Sequence, residues 1–240
     1  MKVVLSILTP LFAYMALCTG TLLMLQLIVD YTSFQTDIHF LQLKQAYLEN
    51  TWWKTSFYVH VFTSIFALLA GFTQFSGYIL KHHKNIHRLI GRMYVITILF
   101  INFPAAMIMA VYANGLWPSK LAFIILDCLW FYFTLKAVLA VLQGRIDEHK
   151  RFMIRSYALT FSAITLRTWK IILVHTIHPD PLTLYMIQAW IGFVPNLLFA
   201  EWLIRRKAKK KFRLSFPGRK KKQVQEKEYN YSRNYESENA

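Results

Sequence analysis

An all-α membrane protein, a bundle of six transmembrane helices, is the fold class this sequence predicts, and three observations carry the prediction. The apolar residues are gathered into long blocks between short basic segments. Six blocks, at 4–29, 57–80, 89–113, 119–142, 152–175 and 183–204, reach the roughly 20 mainly apolar residues that a helix needs to cross a bilayer. The composition, 55% hydrophobic and 16% aromatic with only 17% charged residues, excludes an ordinary soluble domain. The loops are too short for a second domain. Residues 1–204 are therefore expected to form one transmembrane domain, and 205–240 a basic, then polar, disordered cytoplasmic tail.

The first block opens like a signal peptide, with Lys2 before an apolar run. That run, Val3 to Val29, is unbroken by charge and far exceeds the roughly 7–15 residues of a signal core, and no small-x-small cleavage site follows it. It is expected to stay as a helix. The segment from Asp30 to Ser56 is the one sizeable external stretch. Phe40, Leu41, Leu43, Tyr47, Leu48 and Trp52 fall on one helical face and Gln42, Lys44, Gln45 and Glu49 largely on another, the pattern of a helix lying on the outer leaflet, with a lid as the alternative.

In the second block His60, Ser64, Ala67, Gly71, Gln74 and Tyr78 recur at helical spacing, giving a face that is polar or small along its length. Such a face serves helix packing, or lines a site to which His60 contributes. In the third block Asn102 precedes Pro104, and in the sixth Asn196 follows Pro195, so both helices carry a break signal. The fifth block repeats the polar face, with His149, Met153, Ser156, Thr160, Ala163 and Arg167.

Arg167 and, in the fourth block, Asp127 are the informative charges. Each ionisable group at the centre of a bilayer costs roughly 2.5–3.5 kcal/mol on insertion scales, so such groups have partners or work to do. Counted along antiparallel helices the two share a depth, which predicts a buried ion pair. Together with His60 and Gln74 they form the expected intramembrane polar site, between the second, fourth and fifth helices.

Lysine and arginine set the orientation. Lys81, Lys84, Arg88 and Arg92 lie in one loop region, Arg145, Lys150, Arg151 and Arg155 in another, and a dense basic run follows Arg205, whereas the opposite side holds Lys44, Lys54 and Lys120. Both termini are therefore expected in the cytoplasm. The net charge of +16 lies along this one edge, where it attracts anionic lipid at about 1 kcal/mol per basic residue; nucleic acid is not the expected partner. Trp52, Trp53, Tyr58, Tyr78, Tyr94, Trp117 and Trp202 sit at the predicted ends as an interfacial belt. Cys18 and Cys128 both fall within spans, so neither a disulfide framework nor a cysteine zinc site is available.

A second constellation lies at the cytoplasmic boundary. His87, Arg88 and Arg92 open the third helix, and His149 and Arg155 open the fifth, with Tyr94 and Tyr157 at similar offsets. The hairpins 57–113 and 119–175 thus read as a degenerate tandem repeat.

The strings Tyr58-Val59-His60, Gly71-Phe72-Thr73-Gln74-Phe75 and Ile86-His87-Arg88-Leu89-Ile90-Gly91-Arg92-Met93-Tyr94 resemble bacterial predicted membrane proteins of domain-of-unknown-function family 2306. The string Asp147-Glu148-His149-Lys150-Arg151-Phe152-Met153-Ile154-Arg155-Ser156-Tyr157-Ala158, then Leu166-Arg167, is similar too. The resemblance covers about 55–175 and implies a multi-helix protein of the bacterial cytoplasmic (inner) membrane, with no settled activity to carry over.

The residues leave three functions open. A redox protein would hold haem b between paired histidines, His87 with His149 and His60 with His175. Two such sites do not fit, because His149 and His175 would stand about 39 Å apart, beyond the roughly 30 Å core. A carrier would line a cavity with His60, Gln74, Asn102, Asp127, Arg167 and Asn196. An assembly or accessory protein would use the polar faces for packing, as a homo-oligomer or with a membrane partner. No nucleophile, base and oxyanion arrangement and no phosphate loop supports a conventional enzyme. The reading favoured is binding of a small ligand, ion or redox cofactor at the polar site.

Overall fold

The computed structural model describes residues 2–215, with side chains from 14 to 209. The described residues are helical with no β-strand, and six stretches are long and apolar enough to span a membrane: Tyr14–Tyr31, Thr51–Gln74, Lys84–Val111, Leu116–Leu142, Ile146–Thr176 and Pro181–Lys209. In chain order the helices are α1 (Lys2–Tyr31), α2 (Thr51–Gln74), α3 (Gly77–His82), α4 (Lys84–Ile96), α5 (Phe103–Val111), α6 (Leu116–Leu142), α7 (Ile146–Thr160), α8 (Ser162–Thr176), α9 (Pro181–Ile191) and α10 (Val194–Ser215).

Capping chemistry moves the second span away from its expected 57–80. Asn50 Oδ1 accepts the amide of Trp53 at 3.2 Å, so α2 starts at Thr51. It ends at Gln74, and Ser76 Oγ accepts from Ile79 N at 3.3 Å to start the short helix α3. Tyr78 therefore does not continue the α2 face. Hydropathy saw only the apolar run; the two caps set its ends.

Three spans are interrupted. Between α4 and α5 the helix widens into a π-helical segment, Thr97–Asn102, ahead of Pro104, whose ring and missing N–H an α-helical turn would not accommodate. Between α7 and α8 the ladder tightens at Phe161, where Ile164 N turns to Phe161 O at 3.0 Å. Thr160, Ser162 and Thr165 all bond back to carbonyls of the preceding turn, a habit that bends helices. The third break, Gly192-Phe193, precedes Pro195. Asn196 Nδ2 ties this break to the previous one, donating to Thr165 Oγ1 at 2.9 Å and Ala158 O at 3.3 Å, while Thr165 Oγ1 donates to Gly192 O at 2.6 Å.

The main core joins α2, α4, the π-helical segment, α6, α7 and α9 through Ala67, Ala70, Tyr94, Ile98, Ala122, Trp130, Leu159 and Ala189. Alanines let the backbones approach, and the aromatic rings fill the remaining gaps.

The segment between the first two spans corrects the expectation of a surface helix. It forms a 3-10 helix, Leu41–Tyr47, packed as a cap over Tyr31, Trp53 and Phe57. A 3-10 turn places residues three apart in one column, so Leu41 and Lys44 both point inward, 0% and 1% exposed. Lys44 Nζ donates to Tyr112 O and, at 2.6 Å, to Asn114 Oδ1, under the rings of Phe40, Tyr47 and Trp53.

The chain divides into two compact units after Leu198. In the second, Phe199 stacks on Trp202 and Arg206 lies over the Trp202 ring at 5.2 Å. Residues 205–215 are helix, where the disordered tail was expected to begin; arginine, lysine and alanine are strong helix formers. Residues 216–240 of that tail lie outside the described residues.

Candidate functional site

The structure sorts the sequence-selected residues into two polar groups, with a hydroxyl network between them. Arg167 and His60 belong to the half of the bundle nearer the cap. Arg167 Nη1 donates to Ala163 O at 2.7 Å, one turn back. Its guanidinium lies close enough to His60 and to Tyr31 to interact with them electrostatically. His60 Nδ1 is buried without a hydrogen-bond partner among the described residues. Tyr31, 2% exposed, closes this region from the cap side, where its hydroxyl accepts from Phe40 N at 3.2 Å.

The predicted ion pair does not form: among the described residues no salt bridge joins Asp127 to Arg167. The depth argument assumed a straight fifth helix. The break at Phe161 separates α7, which packs along α6, from α8, which packs on α9 and α1. Arg167 thereby turns toward α2, while Asp127, 7% exposed, stays on α6. Nearby on α2, Thr63 Oγ1 donates to Asn102 Oδ1 at 3.2 Å, and Asn102, in the π-helical segment, is 0% exposed with Nδ2 unpartnered among the described residues.

Gln74 is not with His60. It lies at the basic end, where its Nε2 donates to His87 O at 3.0 Å, and Gly91 leaves room for its carboxamide, since a Cβ there would stand 3.1 Å from Gln74 Oε1. His149 shares this end. Its Nδ1 bonds Ala137 O at 2.9 Å; a carbonyl can only accept, so Nδ1 carries the hydrogen and Nε2 keeps its lone pair. His87 Nδ1 is buried without a partner among the described residues, and the two rings are close enough for their charges to interact. Arg88 and Arg92, on the same helix as His87, are exposed. Arg155 lies over the rings of Phe133 and Phe152, at 5.7 and 5.4 Å.

Sequence reading missed most of the hydroxyl network. Tyr94 Oη meets Ser156 Oγ at 2.7 Å and Thr160 Oγ1 at 2.9 Å; Thr134 Oγ1 meets Ser156 Oγ at 2.7 Å; Trp130 Nε1 donates to Thr160 Oγ1 at 3.0 Å. Ser156 and Thr160 stood on the recognised face of the fifth span. Trp130, Thr134 and Ala137, at helical spacing on α6, were the available signal for its partner. Tyr157 adds a clamp, donating from Oη to Leu68 O at 2.8 Å across the place where Gly71 lacks a side chain.

Among the described residues, one titratable group outside the spans has a displaced pKa. Burial pushes the Lys44 ammonium down from 10.5 to about 8, and the like charge of Lys120 adds to the effect.

Comparison with curated proteins and with solved structures gave no match. A family model described as "Predicted membrane protein (DUF2306)" matches residues 57–204, more than half of the chain and through the sixth span, beyond the 175 at which the motif resemblance stopped. Its reach across five of the six spans, including His60, His87, His149 and Arg167, places the chain in the DUF2306 family of predicted membrane proteins.

Proposed function

We propose that this protein is a membrane-embedded binding protein whose polar site, formed by Arg167 and His60, holds a small anionic ligand. The observation that carries the reading is a cation within a span that, among the described residues, has no carboxylate partner: Arg167 has five N–H donors, and its hydrogen bond there goes to Ala163 O. A ligand carboxylate or phosphate would satisfy the guanidinium bidentately and give the buried His60 nitrogen an acceptor or donor. Asp127 and Gln74 stand outside this group and are not assigned to it.

The site belongs to a protein of the cytoplasmic membrane with both termini inside. Its basic rim, with Arg88 and Arg92, binds anionic lipid headgroups. Transport of the ligand is the second reading, favoured by three interrupted spans, the helix form expected around transported ions and substrates.

Binding is tested on protein in nanodiscs by isothermal titration with acetate, inorganic phosphate and palmitate, each against Arg167→Gln. A charge-assisted hydrogen bond contributes about 1.5–3 kcal/mol, so the variant is expected to bind its best anion at least about tenfold more weakly. Wild-type protein that binds none of the three, or a variant that binds as tightly, would remove the anion site. Ligand uptake into proteoliposomes separates transport from binding alone.

A further inference from the structure

The basic-end histidines carry an inference independent of the Arg167 site. α4 and α7 both start at the basic end, one following the α2-to-α4 turn and the other the α6-to-α7 turn, so they run in the same direction. Tyr94 and Ser156 face each other across them at 2.7 Å. His87 and His149 each lie seven residues earlier on their helices, which is two turns back on the same faces. The contact between Tyr94 and Ser156 therefore sets the two imidazoles at one level, close enough for their charges to interact. α4 packs on α2, the π-helical segment and α6, and reaches α7 through the long Tyr94 side chain, so the two helices stand a side chain apart.

We infer that His87 and His149 are the axial ligands of one non-covalently bound haem at the basic end of the bundle. The donor set selects this class of ligand. Among the described residues no three His, Cys, Asp or Glu side chains group together, so a bare zinc ion, which takes three or four protein ligands, is not provided for. A haem iron already has four macrocycle nitrogens and needs only two imidazoles. The bond from His149 Nδ1 to Ala137 O fixes the ring and leaves Nε2 for iron, the usual outer-shell device for a metal-bound histidine. His87 is partly exposed, but its Nδ1 is buried and engages no protein atom among the described residues.

The surroundings suit the same ligand. Ile90, Met153 and Tyr157 supply apolar contact from the adjoining core. Arg88 and Arg92, exposed on the rim, match the charge of two propionates. The sequence has no Cys-x-x-Cys-His motif, so attachment is non-covalent. His175 does not supply a second site: it is exposed, and its Nδ1 bonds Ile171 O in its own helix at 2.8 Å.

Full-length protein would be expressed with a haem precursor, purified and examined by absorption, with a pyridine haemochromogen assay for stoichiometry. Protein purified without the precursor would be titrated with haemin. The expected result is one haem per chain with a low-spin Soret band and a sharp α-band on reduction. His87→Gln and His149→Gln are each expected to lower haem affinity at least about tenfold or leave a high-spin spectrum, and His175→Gln to leave it unchanged. Size-exclusion profiles identify any glutamine variant that fails to fold. For such a position the methionine variant, which keeps an axial ligand, would show low-spin haem at a raised reduction potential. Wild-type protein that forms no low-spin complex with haemin, or His87 and His149 variants that keep the wild-type spectrum, would overturn the assignment.

Discussion

Replacing Lys44 by methionine removes a charge from a nearly dry aromatic enclosure without emptying the space. The side chain is 1% exposed, so solvent screens it little. An ammonium whose pKa falls from 10.5 to about 8 is kept charged at pH 7 at a cost of about 3 kcal/mol relative to water. Methionine removes that cost but leaves Tyr112 O and Asn114 Oδ1 without their donor, a loss of roughly 1–3 kcal/mol. The two terms nearly cancel, so the variant is expected within about 1 kcal/mol of wild type at pH 7. The pH dependence separates them. Between pH 8 and 10.5 the unfolded chain holds the Lys44 proton and the folded chain has released it, so folded-state stability rises with pH across that window. Wild type should gain on the order of 3 kcal/mol over the variant between pH 7 and 10.5. The difference is read from thermal unfolding of both proteins in the same nanodiscs, which subtracts every other group that titrates there. A wild-type minus variant difference that stays flat over this range would refute the account of a costly buried ammonium.

Gly71→Ala places a Cβ 1.8 Å from Tyr157 Oη; displacing that hydroxyl from Leu68 O should cost about 1–3 kcal/mol in thermal unfolding, while Tyr157→Phe, which loses only the hydrogen bond, should cost less. Tyr94→Phe removes the hydroxyl shared by Ser156 and Thr160 and should destabilise by about 1–3 kcal/mol; a neutral result would mean that the network does not hold α4 to α7. Reporter fusions at residues 84, 147 and 230 should score as cytoplasmic, and those at 45, 116 and 179 as external. An external fusion at 230 would reverse the orientation.

The sequence by itself determined the six-span helical architecture, because apolar length acts on each segment separately. Six blocks long enough for a bilayer became six spans, and the strings around His60, His87 and His149 were enough to point to the family. Short-range chemistry, by contrast, moved boundaries that hydropathy could not see: the Asn50 and Ser76 side chains capped helices inside what read as one apolar run. Tertiary structure decided which polar residues meet. Counted along straight helices Asp127 and Arg167 share a depth, but depth is one coordinate of three, and the break at Phe161 sent α8 to α9 and α1. Gln74 stands on the same face of α2 as His60, yet the helix carries it to the basic end beside His87. Lys44 looked like part of a solvated face because a 3.6-residue period was assumed; in a three-residue turn it falls under Leu41 and is buried. Periodicity assigns a residue to a side of its own helix, and only the packing of the others decides what that side confronts.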